Sequence, residues 1–459
     1  MKAAVIYNGI PSMICASSLV KKGLDVELIL SHEPSETRSN GFKLLPYELP
    51  IVGLNHRDYD GDLFSFIGLN ELKKQFSSEK ETVNVVFGSN RVDFSSKTIV
   101  DDISRIFPEH AVKVSAFITE LKTIEKGLPP LWKENNKLKG SRKLMSLSLY
   151  KKYNRNISYL YNKYRIPASI RLIFDSVLFV FSGTFAEDIP LVEAARVIVL
   201  ALDGVYSPEA NVYSLAGSMM KALKGSVQFI ELDNFYEVIR NKKLIRLASE
   251  GKELSFDKKN VVLDGDIVKK DFVSHFNLFN SRYSLKVRYP MSMFFSFDAN
   301  NIPAPMSKCL IYVDVDDSGF YSVDDIYVLR YTTVGEKAVL RATGFVPYGL
   351  FDIDNEGHRD KFFLMQHIVE DLVPALSVFD YDFYPNPKDA NLKNELEYMF
   401  SNLSENDLAY GNIYGELGSY PLYKGTLFSG RECLYPLGFE SSVVSGVSAA
   451  NSLLRGLKI

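Results

Sequence analysis

Gly9 is the residue with the clearest chemical use in this chain of 459 residues. It follows a short apolar run at 3–7, of the kind a buried parallel strand needs. After it come Ile10 and Ser12, then Met13, Ala16, Leu19 and Val20 at helical spacing, until Gly23 stops the helix. Residues 25–30, DVELIL, supply a second strand. Strand, glycine turn, helix and strand in this order predict the opening of a dinucleotide-binding fold, whose helix N-terminus faces a pyrophosphate. A βαβ unit with no ligand carries the same pattern, so the turn alone leaves both readings open.

Other groups with possible chemistry are scattered. Asp314, Asp316, Ser318, Gly319 and Asp325 fit most of a calcium-loop pattern, but strand-like sequence flanks them where helices should be, so a hairpin turn with exposed acids is expected. The histidines, His32, His56, His110, His275, His358 and His367, form no HxH, HxxxH or HExxH pair, and no metal site is expected. There is no Gly-x-Ser-x-Gly elbow and no Gly-Lys-Ser/Thr phosphate loop. Cys15, Cys309 and Cys433 lie far apart, which excludes a disulfide framework and fits a reducing, cytoplasmic compartment.

Composition narrows the classes further. Hydrophobic residues make up 46% and charged residues 24%, enough apolar content for a full core. A formal charge of −3 lacks the basic field of a nucleic-acid binder. The N-terminus has no apolar segment of signal-peptide type, and the most apolar stretch, 172–185, is broken by Asp175, Ser182 and Gly183. Residues 133–171 depart from this balance: they hold eleven Lys/Arg, one acid (Glu134), and Tyr150, Tyr153, Tyr159, Tyr161 and Tyr164 between them. That pattern predicts peripheral contact with an anionic membrane or an acidic partner, or else a solvated helical face over packed tyrosines.

The opening unit resembles the flavin-dependent amine oxidase and phytoene desaturase superfamily. The family's three turn glycines fall on Tyr7, Gly9 and Ser12, and its ribose-binding acid on Leu30 or Ser31. The resemblance continues in order: SNGFKLLPYELP (39–50), with Arg38 left of the family's GGR element; an amphipathic helix at 105–124; a substrate-domain helix at 181–202; and 204–223, with Ala210 and Asn211 for the family's glycines. A meander at 226–262 follows, in which Asp257 precedes Val261 and Val262. The last element, 427–454, keeps Gly430, Gly438, Ser445, Gly446, Ala449 and Ala450, with Arg431 and Ser441 as departures.

The resemblance implies an α/β fold: a Rossmann-like FAD/NAD(P)-binding domain from 1–60, 204–270 and 405–459, interleaved with an α+β substrate domain from 61–203 and 271–404. It implies FAD as cofactor, held by Gly9, Ile10, Ser12, Ser31, Arg38, Gly430, Arg431, Gly438, Phe439 and Glu440, and an amine or an isoprenoid- or lipid-like substrate. It names no catalytic residue. The departures at Tyr7, Ser12, Leu30 or Ser31, Ala210 and Asn211, Arg431 and Ser441 fall where the cofactor should touch. They point to an alternative, a flavin-free relative that binds a lipid or protein partner.

Overall fold

Apolar runs of five and six residues, Lys2–Ile6 (β1) and Asp25–Leu30 (β2), pair in parallel with Lys2 opposite Asp25 and Ile6 opposite Ile29. All but their first residues are buried, as a sheet covered on both faces requires. In this computed structural model the described residues are 2–6, 9–30, 37–39, 42–44, 51–59, 61–76, 81–128, 152–153, 155–183, 186–187, 189–206, 215–231, 237–240, 244–249, 252–264, 288–304, 306–316, 321–347, 355–379, 381–386, 388, 422–423, 426–429 and 439–457. Ile10–Lys21 (α1) joins β1 to β2. Two short strands, Thr37–Ser39 (β3) and Phe42–Leu44 (β4), form a hairpin, and Ile51–Val52 (β5) is followed by Leu63–Ile67 (α2).

The chain then leaves this sheet. Val83–Phe87 (β6) and Asn90–Phe94 (β7) precede a run of helices: Ile99–Ile106 (α3), Ala111–Gly127 (α4), Ser158–Tyr164 (α5), Ala168–Ser182 (α6) and Leu191–Leu202 (α7). The single helix expected over 105–124 is in fact divided. Phe107 takes an extended-type backbone before Pro108, because a residue preceding proline is driven out of the helical region. Val205–Tyr206 (β8) pairs with β5, and Leu215–Leu223 (α8) leads to Gln228–Glu231 (β9), which joins β2 in parallel.

Glu237–Arg240 (β10), Leu244–Ser249 (β11) and Lys252–Asp257 (β12) make an antiparallel meander. The Asp257 side chain caps a short 3-10 turn, and Val261–Asp264 (β13) then pairs with β1, Ala4 opposite Val261. A long antiparallel system follows: Arg288–Asp298 (β14), Cys309–Val313 (β15), Ile326–Val334 (β16) and Lys337–Pro347 (β17). Asn355–Leu372 (α9) and Asp382–Tyr384 (β18) come next, then Leu422–Tyr423 (β19), Thr426–Ser429 (β20) and the closing helix Phe439–Gly456 (α10).

The strand that follows the acids begins at Ile326. Ser322 forms a capping box with Asp325 around a 3-10 turn, so the calcium-like acids sit between hairpin strands as expected, with 317–320 outside the described residues.

Among the described residues the first sheet runs β19-β20-β13-β1-β2-β9, parallel except for β19. The second runs β18-β14-β17-β16-β15-β6-β7. Alternation divides the second sheet cleanly. Val83, Val85, Ile311 and Val328 pack into the core with α3 to α7, while Val86, Leu310, Tyr327 and Leu329 pack with Phe362, Met365 and Val369 of α9. A third core joins α1 and α10 to one face of the first sheet.

Candidate functional site

β1 lies between β2, reached through α1, and β13, reached only after the helical excursion. Neighbouring connections diverge there, so the carboxyl end of β1 is a switch point of the sheet, the place where open α/β folds take ligands. Gly9 stands at that end as the N-cap of α1, with φ 72° and ψ −152°. No ordinary side chain adopts this conformation readily. A Cβ built on Gly9 meets nothing within 4 Å, so the ground above the turn is open to close backbone approach. Pro11 in the first turn of α1 and the glycine cap leave the positive end of the helix dipole without a carboxylate. This geometry fits a diphosphate.

Beside the turn, the expected site residues separate. Ile10 is half-buried and Ser12 fully buried, so Ser12 lies beneath the helix start, where its small size permits close packing. Phe439 opens α10 and is buried in the core shared with α1. Arg38 pairs in register with Lys43 of the β3–β4 hairpin. The side chains of Arg38 and Glu440, and Tyr7, Ser31, Gly430, Arg431, Cys433 and Gly438 entirely, lie outside the described residues.

The far end of β2 differs from what a nucleotide ribose wants. Leu30 is 1% exposed and packs with Val26 and Leu28 into the α1–α10 core. The only acid inside the strand after its exposed first residue is Glu27, which points to the other face and pairs with Lys2 at 2.5 Å. Leu30 therefore offers no oxygen to a ribose hydroxyl.

A buried ionic cluster was not visible in the sequence pattern. Arg196 of α7 is 1% exposed; its guanidinium lies 2.9 Å from Asp58 Oδ2 and 3.6 Å from Glu125 Oε1 of α4. His56 Nε2 is 3.1 Å from the same Glu125 oxygen, and Arg57 Nη2 donates to it at 3.2 Å. Burial disfavours ionisation of Glu125, yet the His56 hydrogen bond and the charges of Arg196 and Arg57 hold its carboxyl below the ordinary range. Because residues 51 and 54 belong to the α1–α10 core and α4 and α7 to the helical one, the cluster ties the two together. The sequence marks Glu193 and Arg196 as the charged residues of an otherwise apolar helix, but it does not show their partners. Glu193, also buried, is pushed well above the usual carboxyl range by desolvation.

The described part of the basic stretch turns its tyrosines inward. Tyr153 and Tyr161 are buried; Tyr153 and Tyr164 donate to Glu120 at 3.4 and 2.6 Å, and Tyr161 donates to Asp175 at 2.6 Å. Asp175 also accepts from Tyr321 at 2.9 Å, linking α5, α6 and the turn before β16. Burial raises the Asp175 carboxyl to about 6, opposed by the Tyr161 and Tyr321 hydrogen bonds. Because the folded value exceeds the unfolded one, Asp175 loses stability as pH rises through about 6. Between pH 4 and 7 the wild type should lose about 2–3 kcal/mol that Asp175→Asn does not. Thermal midpoints of both proteins across that window test this; parallel curves would sink it.

Among the described residues no group of His, Cys, Asp and Glu could hold a metal ion. Cys15 and Cys309 are buried thiols, and burial pushes Cys309 to about 12, so neither is a nucleophile at neutral pH. No helix among the described residues is long and apolar enough to cross a membrane.

No family model matches the sequence, and no curated protein matches it. Solved structures do match in fold. Cyclohexylamine oxidase from Brevibacterium oxydans IH-35A superposes with a TM-score of 0.62 over 99% of this chain and 99% of its own, at 12% identity. A putrescine oxidase solved with putrescine bound matches over the full length of both chains, at a TM-score of 0.58 and 12% identity. An oxidoreductase from Methanosarcina mazei covers 97% of this chain and 99% of its own, again at 0.58 and 12%. The chain therefore shares the fold of these amine oxidases, a Rossmann-like parallel sheet with helices combined with a second, largely antiparallel sheet. At this identity the likeness establishes architecture, not activity.

Proposed function

We propose that this chain is a flavin-dependent oxidoreductase whose substrate is an amine or an isoprenoid- or lipid-like molecule. The observation that carries this reading is the open ground over Gly9 at the switch point of the parallel sheet. Gly9 and the first turn of α1, from Ile10, would hold the diphosphate of FAD, with the start of α10 at Phe439 beside them. When bound, FAD supplies the hydride acceptor. The protein's own part is to position that group and keep water out, and no residue is assigned here as a base.

Leu30 favours a second reading, a flavin-free protein of the same fold whose cleft holds a lipid or a protein partner. A buried leucine cannot replace the carboxylate that anchors a ribose. Visible absorption of the purified protein, before and after FAD, separates the two. Flavin bands surviving gel filtration at one FAD per chain support the oxidoreductase; a colourless protein that takes up no FAD overturns it. Gly9→Ala provides the matching variant. Its methyl group fills the open ground, and a backbone in this region, which glycine occupies almost alone, costs on the order of 1–3 kcal/mol for alanine. FAD affinity is expected to fall more than about tenfold, since a tenfold change needs only about 1.4 kcal/mol.

A further inference from the structure

Four cations between 152 and 171 each lie over a tyrosine ring. Lys152 is 4.8 Å from the Tyr153 centroid, Arg155 4.5 Å from Tyr159, Lys163 5.0 Å from Tyr164 and Arg171 5.3 Å from Tyr161. The rings fix the cationic stems while leaving Lys152, Arg155 and Lys163 exposed, so the positive row is preorganised rather than floppy. Glu120 lies against this row, engaged by Lys163 at 2.5 Å and by Tyr164, while Arg171 acts on the buried Asp175; Lys152 and Arg155 extend the row as exposed cations. Beside it opens a groove of about 780 Å³. Its floor is the exposed face of α4, Val112, Ser115, Ala116, Thr119 and Thr123; Tyr153, Lys163 and Tyr164 form one wall. Small residues one and two helical turns apart make a shallow trough that accepts a helix or an extended segment.

We propose that this groove docks an acidic, amphipathic polypeptide segment of a partner protein. Its apolar side chains rest on the α4 floor, and its carboxylates meet Lys152, Arg155 and Lys163. Stable seating in a bilayer takes aromatic or large aliphatic side chains besides the charge that attracts an anionic surface. Among the described residues this face offers Val112 alone, 83% exposed, while Tyr153 and Tyr161 are buried. Charge complementarity over a shaped trough therefore favours a peptide over a membrane. The proposal does not depend on whether the chain binds flavin.

Fluorescence anisotropy of the full chain with a labelled helical Glu/Leu peptide tests it. A Glu/Ser peptide of equal length and charge and phosphatidylserine-containing vesicles serve as competitors. The Glu/Leu peptide is expected to bind about tenfold more tightly than the Glu/Ser peptide and to weaken with added salt. Lys152→Glu with Arg155→Glu should weaken it about tenfold. Thr119→Trp, which fills the trough from an exposed position, should do the same without lowering the melting temperature. Equal binding of the two peptides, indifference to these substitutions, or capture by vesicles with no peptide binding would each overturn the proposal.

Discussion

Replacing Arg196 by alanine is expected to cost about 3–5 kcal/mol, the range for removing one partner of a buried ion pair. The guanidinium is 1% exposed and bridges Asp58 and Glu125, whose side chains are 4% and 8% exposed. Without it, two carboxylates remain close together in a low-dielectric interior, with only the half-exposed Arg57 and His56 against them. The loss should also depend on pH. In the wild type the depressed Glu125 carboxyl contributes stability above the ordinary carboxyl range, and that contribution is lost as pH falls through its lower folded value. In the variant the Glu125 carboxyl, without the Arg196 charge, is expected to regain its proton at higher pH, so the gap between the two proteins narrows on acidification. Urea denaturation at pH 7.5 and pH 5 measures both effects, and a loss near zero at neutral pH would mean that the cluster does not hold the two cores. Asp58→Asn added to Arg196→Met should recover part of the loss, since it removes one of the two carboxylate charges that Arg196 neutralised.

Much of this architecture was legible because its signals are local. The runs at 3–6 and 25–30, the turn at Gly9 and the order of later elements reflect period, cap and breaker rules that act within a few residues. The division at Phe107 was within reach of the same rules, since Pro108 forbids a continuous helix, but the apolar period across it masked the break. The Arg196 cluster was not within reach. It joins positions 58, 125 and 196, and only the packing of two cores brings them together. Leu30 lies between these cases. Its departure from the family pattern was readable, but a sequence does not say whether a strand's last residue faces the ligand or the core; here it faces the core. The basic stretch showed the same limit, because spacing revealed cations and tyrosines but not that the rings of Tyr153, Tyr159, Tyr161 and Tyr164 lie under charges.

Two glycines in one helix give the sharpest contrast. At Gly446, midway along α10, a Cβ would lie 2.5 Å from the Pro11 carbonyl oxygen and 2.8 Å from the Ile14 Cβ. The first atom is backbone, so the clash cannot be relieved by turning a side chain. The helices α1 and α10 would have to separate, although Ser445, Val447, Ala449 and Ala450 around the contact are buried. Alanine normally gains about 1 kcal/mol over glycine inside a helix, but overpacking costs about 1–3 kcal/mol and sometimes more. Gly446→Ala is therefore expected to lose stability outright, and Gly446→Val to lose more. At Gly456, the last residue of the same helix, a Cβ meets nothing within 4 Å, so Gly456→Ala should be neutral or gain about 0.5 kcal/mol. Separating α1 from α10 also moves the first turn of α1, which carries Gly9 as its cap. For a chain that takes up FAD as proposed, Gly446→Ala should thus weaken that uptake together with stability, while Gly456→Ala leaves it unchanged. Thermal melts paired with FAD titration read both, and a Gly446→Ala protein as stable as the wild type would show that the two helices do not meet as closely as their packing requires.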